Sequence, residues 1–406
     1  MAELKKYKLS DIAKVDISSV DKKTNDNETP VKLCNFTDVY YNWAITKELI
    51  DGFMEASANA KEIERYTIKK GQVAFTKDSE TRFDIGIPTY IADDFDDVLL
   101  GYHCALVTPD EKKVDGKYLN AFMHSAYIQK YFENSATGSG QRYTLSIETI
   151  ENMPILLPSL EAQKRIGDIF SSIDRKISLN RAINRNLEAL AMQLYDYWFV
   201  QFDFPDEVGK PYKSSGGKMV WNEMLKREVP EGWEVKRLGD AVGIIRGKTI
   251  TEKQTTPGNV KVVAAGLDFS YYHNQSNRTA NCITVSGSGE NAGFVNFWRE
   301  PIYASDCSTI QFEDEVDTML CYYTLKMQEQ RFYRISHKSA QPHVLPSDIA
   351  EIPMVFPDAK VKERIRGFLV DSSKKIGINT SEIERLTRQR DELLPLLMNG
   401  QVEVGN

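Results

Sequence analysis

The sequence predicts an α+β fold in which two β-rich domains are separated by two long helices that pair antiparallel, the whole forming a pseudo-two-fold internal repeat. Three observations carry this. At an offset of 199 the second half repeats the first: Pro154, Pro158, Arg165, Ile166, Lys176, Ile177, Asn180, Leu187 and Leu194 fall on Pro353, Pro357, Arg364, Ile365, Lys375, Ile376, Asn379, Leu386 and Leu393, 9 identities in 41 positions. Two segments, 166–198 and 365–397, carry apolar residues at alternating steps of four and three, the pattern of a coiled-coil seam. The rest of each half mixes short β-branched and aromatic runs with a single helical pattern.

Taken in order, Tyr7-Lys-Leu-Ser-Asp-Ile-Ala near the start resembles Trp233-Glu-Val-Lys-Arg-Leu-Gly in the second half. Strands are predicted at Gln72–Thr76, Ile85–Ile91, Val260–Ala264, Cys282–Ser286 and Gly293–Phe297, and helices at 118–133 and 318–334. At an offset of 200, Phe132 meets Phe332 and Gln141 meets Gln341. Pro154 and Pro158, and likewise Pro353 and Pro357, close each domain before its long helix. The first stripe runs through Ile166, Phe170, Ile173, Ile177, Asn180, Asn184, Leu187 and Leu194, and the second through Ile365, Leu369, Ile376, Asn379, Leu386 and Leu393. Each stripe spans 33 residues, or about 50 Å of helix. Pro395 is expected to distort the last turn of the second helix. The resulting division is 1–158 and 230–357 as the two β-rich domains, 159–202 as the first helical region, a Pro-, Gly- and Ser-marked linker at 203–229, and 358–406 as the second helical region with a tail.

The first helix leaves domain one and enters domain two, and the second leaves domain two. If both pack along one seam they run antiparallel, and the end of the chain, Gln401-Val-Glu-Val404, returns beside domain one. The register that sets residue 182 opposite 381 also sets Asn184 opposite Asn379. The seam asparagines read either as a polar layer that fixes this register or as simple solvent exposure of an imperfect stripe.

Composition narrows the function. The chain has 406 residues, with 51 Lys and Arg against 58 Asp and Glu, a net charge of −7. With 41% hydrophobic and 10% aromatic residues it is no disordered chain. The acidic balance argues weakly against nucleic-acid binding but leaves room for a local basic face. No apolar run is long enough to span a membrane, and Met-Ala-Glu-Leu-Lys-Lys has no apolar signal region. Five widely spaced cysteines without a C-x-x-C pair give neither a disulfide framework nor a zinc motif, so a reducing cytoplasm is expected. Catalytic motifs are missing. An amino-methyltransferase would carry an Asp/Asn-Pro-Pro-aromatic motif, and the chain has no Pro-Pro dipeptide. Gly243-Ile-Ile-Arg-Gly247-Lys248-Thr249 is one residue short of a phosphate loop, and a polar turn follows it rather than a helix. Gly287-Ser-Gly289-Glu-Asn-Ala-Gly293 has one residue too many for a dinucleotide fingerprint and reads as a turn. Pro109-Asp-Glu-Lys-Lys113 reads as a solvated turn, and the five histidines show no metal spacing.

What remains suggests binding. After the helix of each domain comes a polar turn with basic residues, Ser135–Tyr143 and Arg334–His343. Gln and Arg can bond two edges of adenine or guanine, and Lys and Arg hold phosphates. Ser139, Gln141, Arg142 and Tyr143 are the candidates in the first turn, and Arg334, Lys338, Gln341 and His343 in the second. The plain alternative is a solvated loop after a helix, and the recurrence of the loop in both halves counts against it.

At this point the sequence resembles the specificity subunit of type I restriction–modification systems. The residues that carry the resemblance include Lys77-Asp-Ser-Glu-Thr81 with Ile85-Gly-Ile-Pro-Thr-Tyr90, Leu100-Gly-Tyr-His103, Leu156-Leu-Pro-Ser-Leu-Glu-Ala-Gln-Lys-Arg-Ile166, and Ile173-Asp-Arg-Lys-Ile177. They continue through Tyr197-Trp-Phe199, Gly209-Lys-Pro-Tyr-Lys-Ser-Ser-Gly-Gly217, Pro230-Glu-Gly-Trp-Glu-Val-Lys-Arg-Leu-Gly-Asp240, Val285-Ser-Gly-Ser-Gly289 and Tyr303-Ala-Ser-Asp-Cys307, in family order along the whole chain. The resemblance implies two target-recognition domains, each reading one half of a split double-stranded DNA target, and two helical regions that dock two methyltransferase subunits. Those subunits bind S-adenosylmethionine and methylate adenine N6. Two restriction subunits that use ATP and Mg can join them. The chain itself is then non-catalytic, binds no cofactor or metal, and is cytoplasmic and prokaryotic. On this reading Lys77, Ser79, Thr81 and Arg82, with Arg246, Lys248, Ser288 and Asn291, join the candidate DNA contacts. The rival reading from another class is a duplicated coiled-coil scaffold that binds no DNA.

Overall fold

The computed structural model describes residues 4–336 and 342–402, with Ser139, Ile335 and Ser336 described by their backbone alone. The chain divides into two compact units, Met1–Asn180 with Glu382–Asn406, and Arg181–Ser381. The division falls inside both long helices, so each unit owns a segment of each, where the sequence reading gave the helical regions as segments of their own.

In the first unit β1 (Lys5–Lys8) is followed by β2 (Ala13–Ile17), β3 (Val73–Thr76), β4 (Asp78–Ser79), β5 (Pro88–Ile91) and β6 (Cys104–Pro109). Two helices follow, α1 (Gly116–Met123) and α2 (Ala126–Ser135), then β7 (Thr137–Ser139), β8 (Arg142–Thr144) and β9 (Pro154–Leu157). The single helix expected over 118–133 is thus two, parted at His124 and Ser125. The central sheet runs β2-β6-β3-β5 with Ala44–Ile45 at its edge, and a second sheet pairs Met54–Ala58, Thr29–Cys34 and Val98–Leu100. β3 and β5 are buried at every position, which explains their continuous apolar and β-branched runs. Phe75, Tyr118, Phe122 and Phe132 form the core with Ile166 and Phe170 of the first long helix.

The second unit repeats the plan with β10 (Glu234–Arg237), β11 (Ile245–Arg246), β12 (Cys282–Ser286), β13 (Val295–Trp298), β14 (Cys307–Ile310) and β15 (Pro353–Phe356). Its sheet runs β11-β14-β12-β13, matching β2-β6-β3-β5. β1 pairs with β9 and β10 with β15, each antiparallel. The Leu9 N–H donates to Met153 O at 3.0 Å, and the Leu238 N–H to Ile352 O at 2.9 Å. Leu9 therefore matches Leu238, three residues away from the sequence-level match of Tyr7 with Trp233. Gly86 and Gly293 also match. Both have positive φ, and a Cβ would lie 2.2 Å from the Phe132 ring in one and 2.3 Å from Phe332 in the other. These approaches let each domain's helix, α2 or its counterpart Glu315–Ser336, press a phenylalanine against the sheet.

The long helices are α3 (Leu160–Tyr195) and α4 (Ala359–Met398). Both start on a proline and a cap: Ser159 Oγ accepts from the Ala162 N–H at 3.3 Å, and Asp358 Oδ1 accepts from Lys360 and Val361 at 2.8 and 3.1 Å. Asp196–Val200 continues α3 as a π-turn that buries Trp198 and Phe199. α4 runs on past Pro395 to Met398, because one missing N–H so near the end costs the helix a single bond. In the first unit Ile173 and Ile177 cluster with Leu386, and Lys176 and Asn180 both reach Glu382, at 2.5 and 2.9 Å. In the second, Asn379 Nδ2 donates to Asn184 Oδ1 at 2.8 Å and Asn184 Nδ2 to Thr380 Oγ1 at 3.3 Å. Within each unit the α3 and α4 segments run antiparallel. Ile376 is buried and Leu187 half-buried. The outer residues of the stripes have another job: Ile166 and Phe170, with Leu393, pack into the first unit's globular core, and Ile365, Leu369 and Leu194 into the second's.

The segment expected as a linker, 203–229, is ordered against the second unit. Phe204 stacks on Trp233 at 4.8 Å and on Tyr212 at 4.6 Å, and Met219–Asn222 forms a hairpin with Arg227–Pro230. Its Gly and Pro residues make turns within a packed element rather than a flexible tether. Of the tail, residues 403 and 404 lie outside the described residues.

Candidate nucleic-acid interface

In the first unit β7 and β8 form a hairpin that adds to β4, so the sheet order is β7-β8-β4. Ser139 pairs directly with Arg142, leaving Gly140 and Gln141 as a two-residue turn in which Gly140 has φ +46°. Gln141 and Arg142 are exposed at the tip. The pairing of Tyr143 with Ser79 and Thr144 with Asp78 brings the two candidate segments, 77–82 and 139–143, together.

Their side chains meet on a residue the sequence reading passed over. Asp78 is buried, and its carboxylate accepts from Lys77 Nζ at 2.8 and 2.9 Å and from His103 Nδ1 at 2.8 Å. Arg142 Nη2 lies 3.6 Å from the same carboxylate and against both nitrogens of the His103 ring, Nδ1 and, at 2.9 Å, Nε2. The network assigns the imidazole proton to Nδ1, since the Asp78 carboxylate that Nδ1 faces only accepts. Burial pushes the Asp78 carboxyl up, but the hydrogen bonds from His103, Lys77 and Thr144 outweigh it and hold it below the usual value. Burial also lowers His103, with the charges of Arg142 and Lys77 adding to the effect against Asp78, so the ring is neutral at pH 7. Arg82 lies over the Tyr143 ring at 4.9 Å. Ser79 and Thr81 both donate to Asp84, at 2.5 and 2.7 Å. Their hydroxyls brace the 79–84 loop, whose tip exposes Arg82 and Phe83.

In the second unit the segment after Glu315–Ser336 returns against the 287–289 turn. Ser288 bridges His343, Gly289 N–H donates to Pro342 O at 3.1 Å, and Val344 N–H donates to Gly287 O at 3.1 Å. In the first unit the Leu145 N–H donates to Lys77 O at 2.9 Å in the same way. Leu145 thus matches Val344 at an offset of 199, not the 200 used to set Gln141 on Gln341. Asp306 collects the polar contacts here. It accepts from the Ser288 hydroxyl and from Arg246 Nη2, the latter at 3.2 Å. Lys248, Arg334 and His343 are exposed and Asn291 is half-buried. Lys338 and Gln341 lie outside the described residues.

The structure therefore joins Lys77, Arg142 and, through Tyr143, Arg82 in one unit, and Arg246, Ser288 and His343 in the other. Asp78, His103 and Asp306 are the additions. Among the described residues no group of His, Cys, Asp or Glu could hold a metal ion, and no helix is long and apolar enough to cross a membrane.

Comparison with known proteins gives a consistent neighbourhood. Residues 1–189 and 230–388 match the family described as type I restriction modification DNA specificity domain. The chain is 24% identical over 477 aligned positions to the HindI type I restriction enzyme specificity subunit of Haemophilus influenzae, covering 99% of this chain and all of that one. It is 25% identical over 316 positions to the MjaIX specificity subunit of Methanocaldococcus jannaschii, covering 72% and 70%. The fold is similar to the crystal structure of a type I restriction–modification S subunit from M. genitalium, with a TM-score of 0.63 at 14% identity over 98% of this chain and 96% of that one.

Proposed function

Because the chain belongs to the type I restriction–modification DNA specificity family, a non-catalytic family that recognises DNA sequence through two domains, we propose that its two units read the two halves of a split double-stranded target on behalf of two methyltransferase subunits. The observation that best supports this is that each unit, at the same end of its repeated sheet, holds an exposed arginine over a shielded carboxylate: Arg142 with Asp78, and Arg246 with Asp306. A scaffold would need no such pair in each half. The methyltransferase subunits supply S-adenosylmethionine and transfer its methyl group to adenine N6. Two restriction subunits, when they join, supply ATP and Mg chemistry. This chain contributes sequence reading and the docking of its partners.

The test is to express the chain with and without an adenine methyltransferase partner in a host free of adenine methylation, and to sequence the methylome. A bipartite motif is expected only when both are present. Replacing 230–357 with the corresponding domain of a relative is expected to change one half-site and keep the other. Methylation by this chain alone, or a change in both half-sites after the replacement, would overturn the reading.

A further inference from the structure

The two arginine–carboxylate arrangements share a position in the fold but not in the sequence. The Lys77 N–H donates to His103 O at 3.0 Å, and the Gly287 N–H donates to Asp306 O at 3.2 Å. Lys77 thus matches Gly287 and His103 matches Asp306, and the next residues, Asp78 and Ser288, match in turn. In the first unit the acid sits at the first of these places and an imidazole at the second. In the second unit the acid sits at the second place and a hydroxyl at the first. Each pair is closed by a side-chain hydrogen bond, Asp78 with His103 and Ser288 with Asp306. Each holds one edge of a guanidinium that arrives from a different strand, Arg142 from β8 and Arg246 from β11.

The solvent pattern is the same in both. The Arg142 and Arg246 side chains are 59% and 49% exposed, while Asp78 and Asp306 beneath them are 11% and 28% exposed. Only one Nη of each guanidinium faces its acid. Among the described residues the remaining donors meet no protein acceptor, and a guanine major-groove edge, with O6 and N7, is the planar two-acceptor surface they fit. An arginine already held by one edge loses less rotamer freedom when it makes that contact.

We infer that Asp78 with His103, and Asp306 with Ser288, are positioning residues that aim Arg142 and Arg246 at one guanine in each half of the target. This rests on the DNA-reading function proposed above. It adds a base identity to each half-site and assigns its fidelity to residues that touch no DNA.

The test uses the chain assembled with its methyltransferase partner, labelled S-adenosylmethionine, and a DNA library randomised one position at a time around the wild-type motif. The wild-type motif is expected to hold a G·C pair in each half whose replacement lowers methylation roughly 5- to 150-fold. Arg142→Gln is expected to abolish the preference at one position of the first half only. Asp78→Asn and His103→Leu are expected to weaken the preference at that same position, and His103→Gln, which keeps a donor and an acceptor, to retain most of it. Arg246→Gln and Asp306→Asn are expected to act at one position of the second half. The untouched half-site reports folding and assembly in every variant. If Asp78→Asn does not assemble, the exposed Arg142→Gln and Arg246→Gln variants decide. An even loss across all sequences, or no change at any single position, would reduce the clusters to structural braces and overturn the assignment. A wild-type complex that yields no motif would instead overturn the DNA-reading function, and this assignment with it.

Discussion

His124 shows how much a single side chain can hide from a sequence reading. Its ring stacks on Trp43 at 4.0 Å and its Nδ1 donates to Asn120 O at 3.0 Å. Burial, aided by the charge of the Arg390 guanidinium, which lies 5.0 Å from the Trp43 ring, lowers its pKa to about 4 against the pull of the Asn120 bond. The unfolded chain takes up this proton near pH 6.5, and the folded chain only near pH 4. The neutral ring's contribution is therefore complete above about pH 6.5 and is lost as pH falls toward 4, by at most about 3 kcal/mol. His124→Gln is expected to flatten this part of the acid limb in a denaturation series at stepped pH. An unchanged slope would mean that other groups set it. The candidate binding residues were unequally legible for the same reason. Arg142 and Gln141 could be read from a polar turn after a helix. Asp78 and His103 could not, because nothing in their sequence spacing says that the end of β3 and the start of β6 bring them within 2.8 Å.

Among the elements, the long helices were the most legible, because a three–four apolar stripe has only one cheap way to be buried. Their asparagines were ambiguous until the partner was known. Asn379 is 1% exposed and donates to Asn184 at 2.8 Å, so at this point the seam carries a polar layer and not a solvent-facing gap. Removing Asn184 leaves the buried Asn379 amide without the acceptor it donates to, whereas Asn184 keeps its bond to Thr380 when Asn379 is removed. A double-mutant cycle of Asn184→Ala and Asn379→Ala is expected to give a coupling of about 0.5–1.5 kcal/mol in chemical denaturation. A coupling near zero would mean that each amide is satisfied by water. The repeat inside the domains was less legible than the helices. From Thr76 to His103 the first domain is longer than the second is from Ser286 to Asp306, and a fixed offset fails across such insertions. The Gly86–Phe132 and Gly293–Phe332 contacts survive them because each needs a residue without a Cβ at positive φ.

For the whole chain, connectivity sets the last expectation. α3 passes from the first unit into the second at Asn180 and Arg181, and α4 passes back at Ser381 and Glu382. Seven residues added to each helix at these two points leave every contact within a unit unbroken, including Asn180 with Glu382 and Asn184 with Asn379. A heptad also preserves the seam, since it advances an ideal helix by two turns less about 20°. The insertion lengthens the helices by about 10 Å. At about 3.4 Å per base pair of duplex, this corresponds to roughly three base pairs. The lengthened chain is therefore expected to keep both half-site sequences and to prefer a spacer wider by about three base pairs. Rotation works against it: three base pairs turn the duplex by about 100°, far more than the added heptad turns the helices. Methylation is accordingly expected to be weaker at the new optimum than in the wild type at its own. The measurement is methylation across targets that differ only in spacer length. An unchanged optimum in a folded, assembled variant would show that something other than helix length sets the gap.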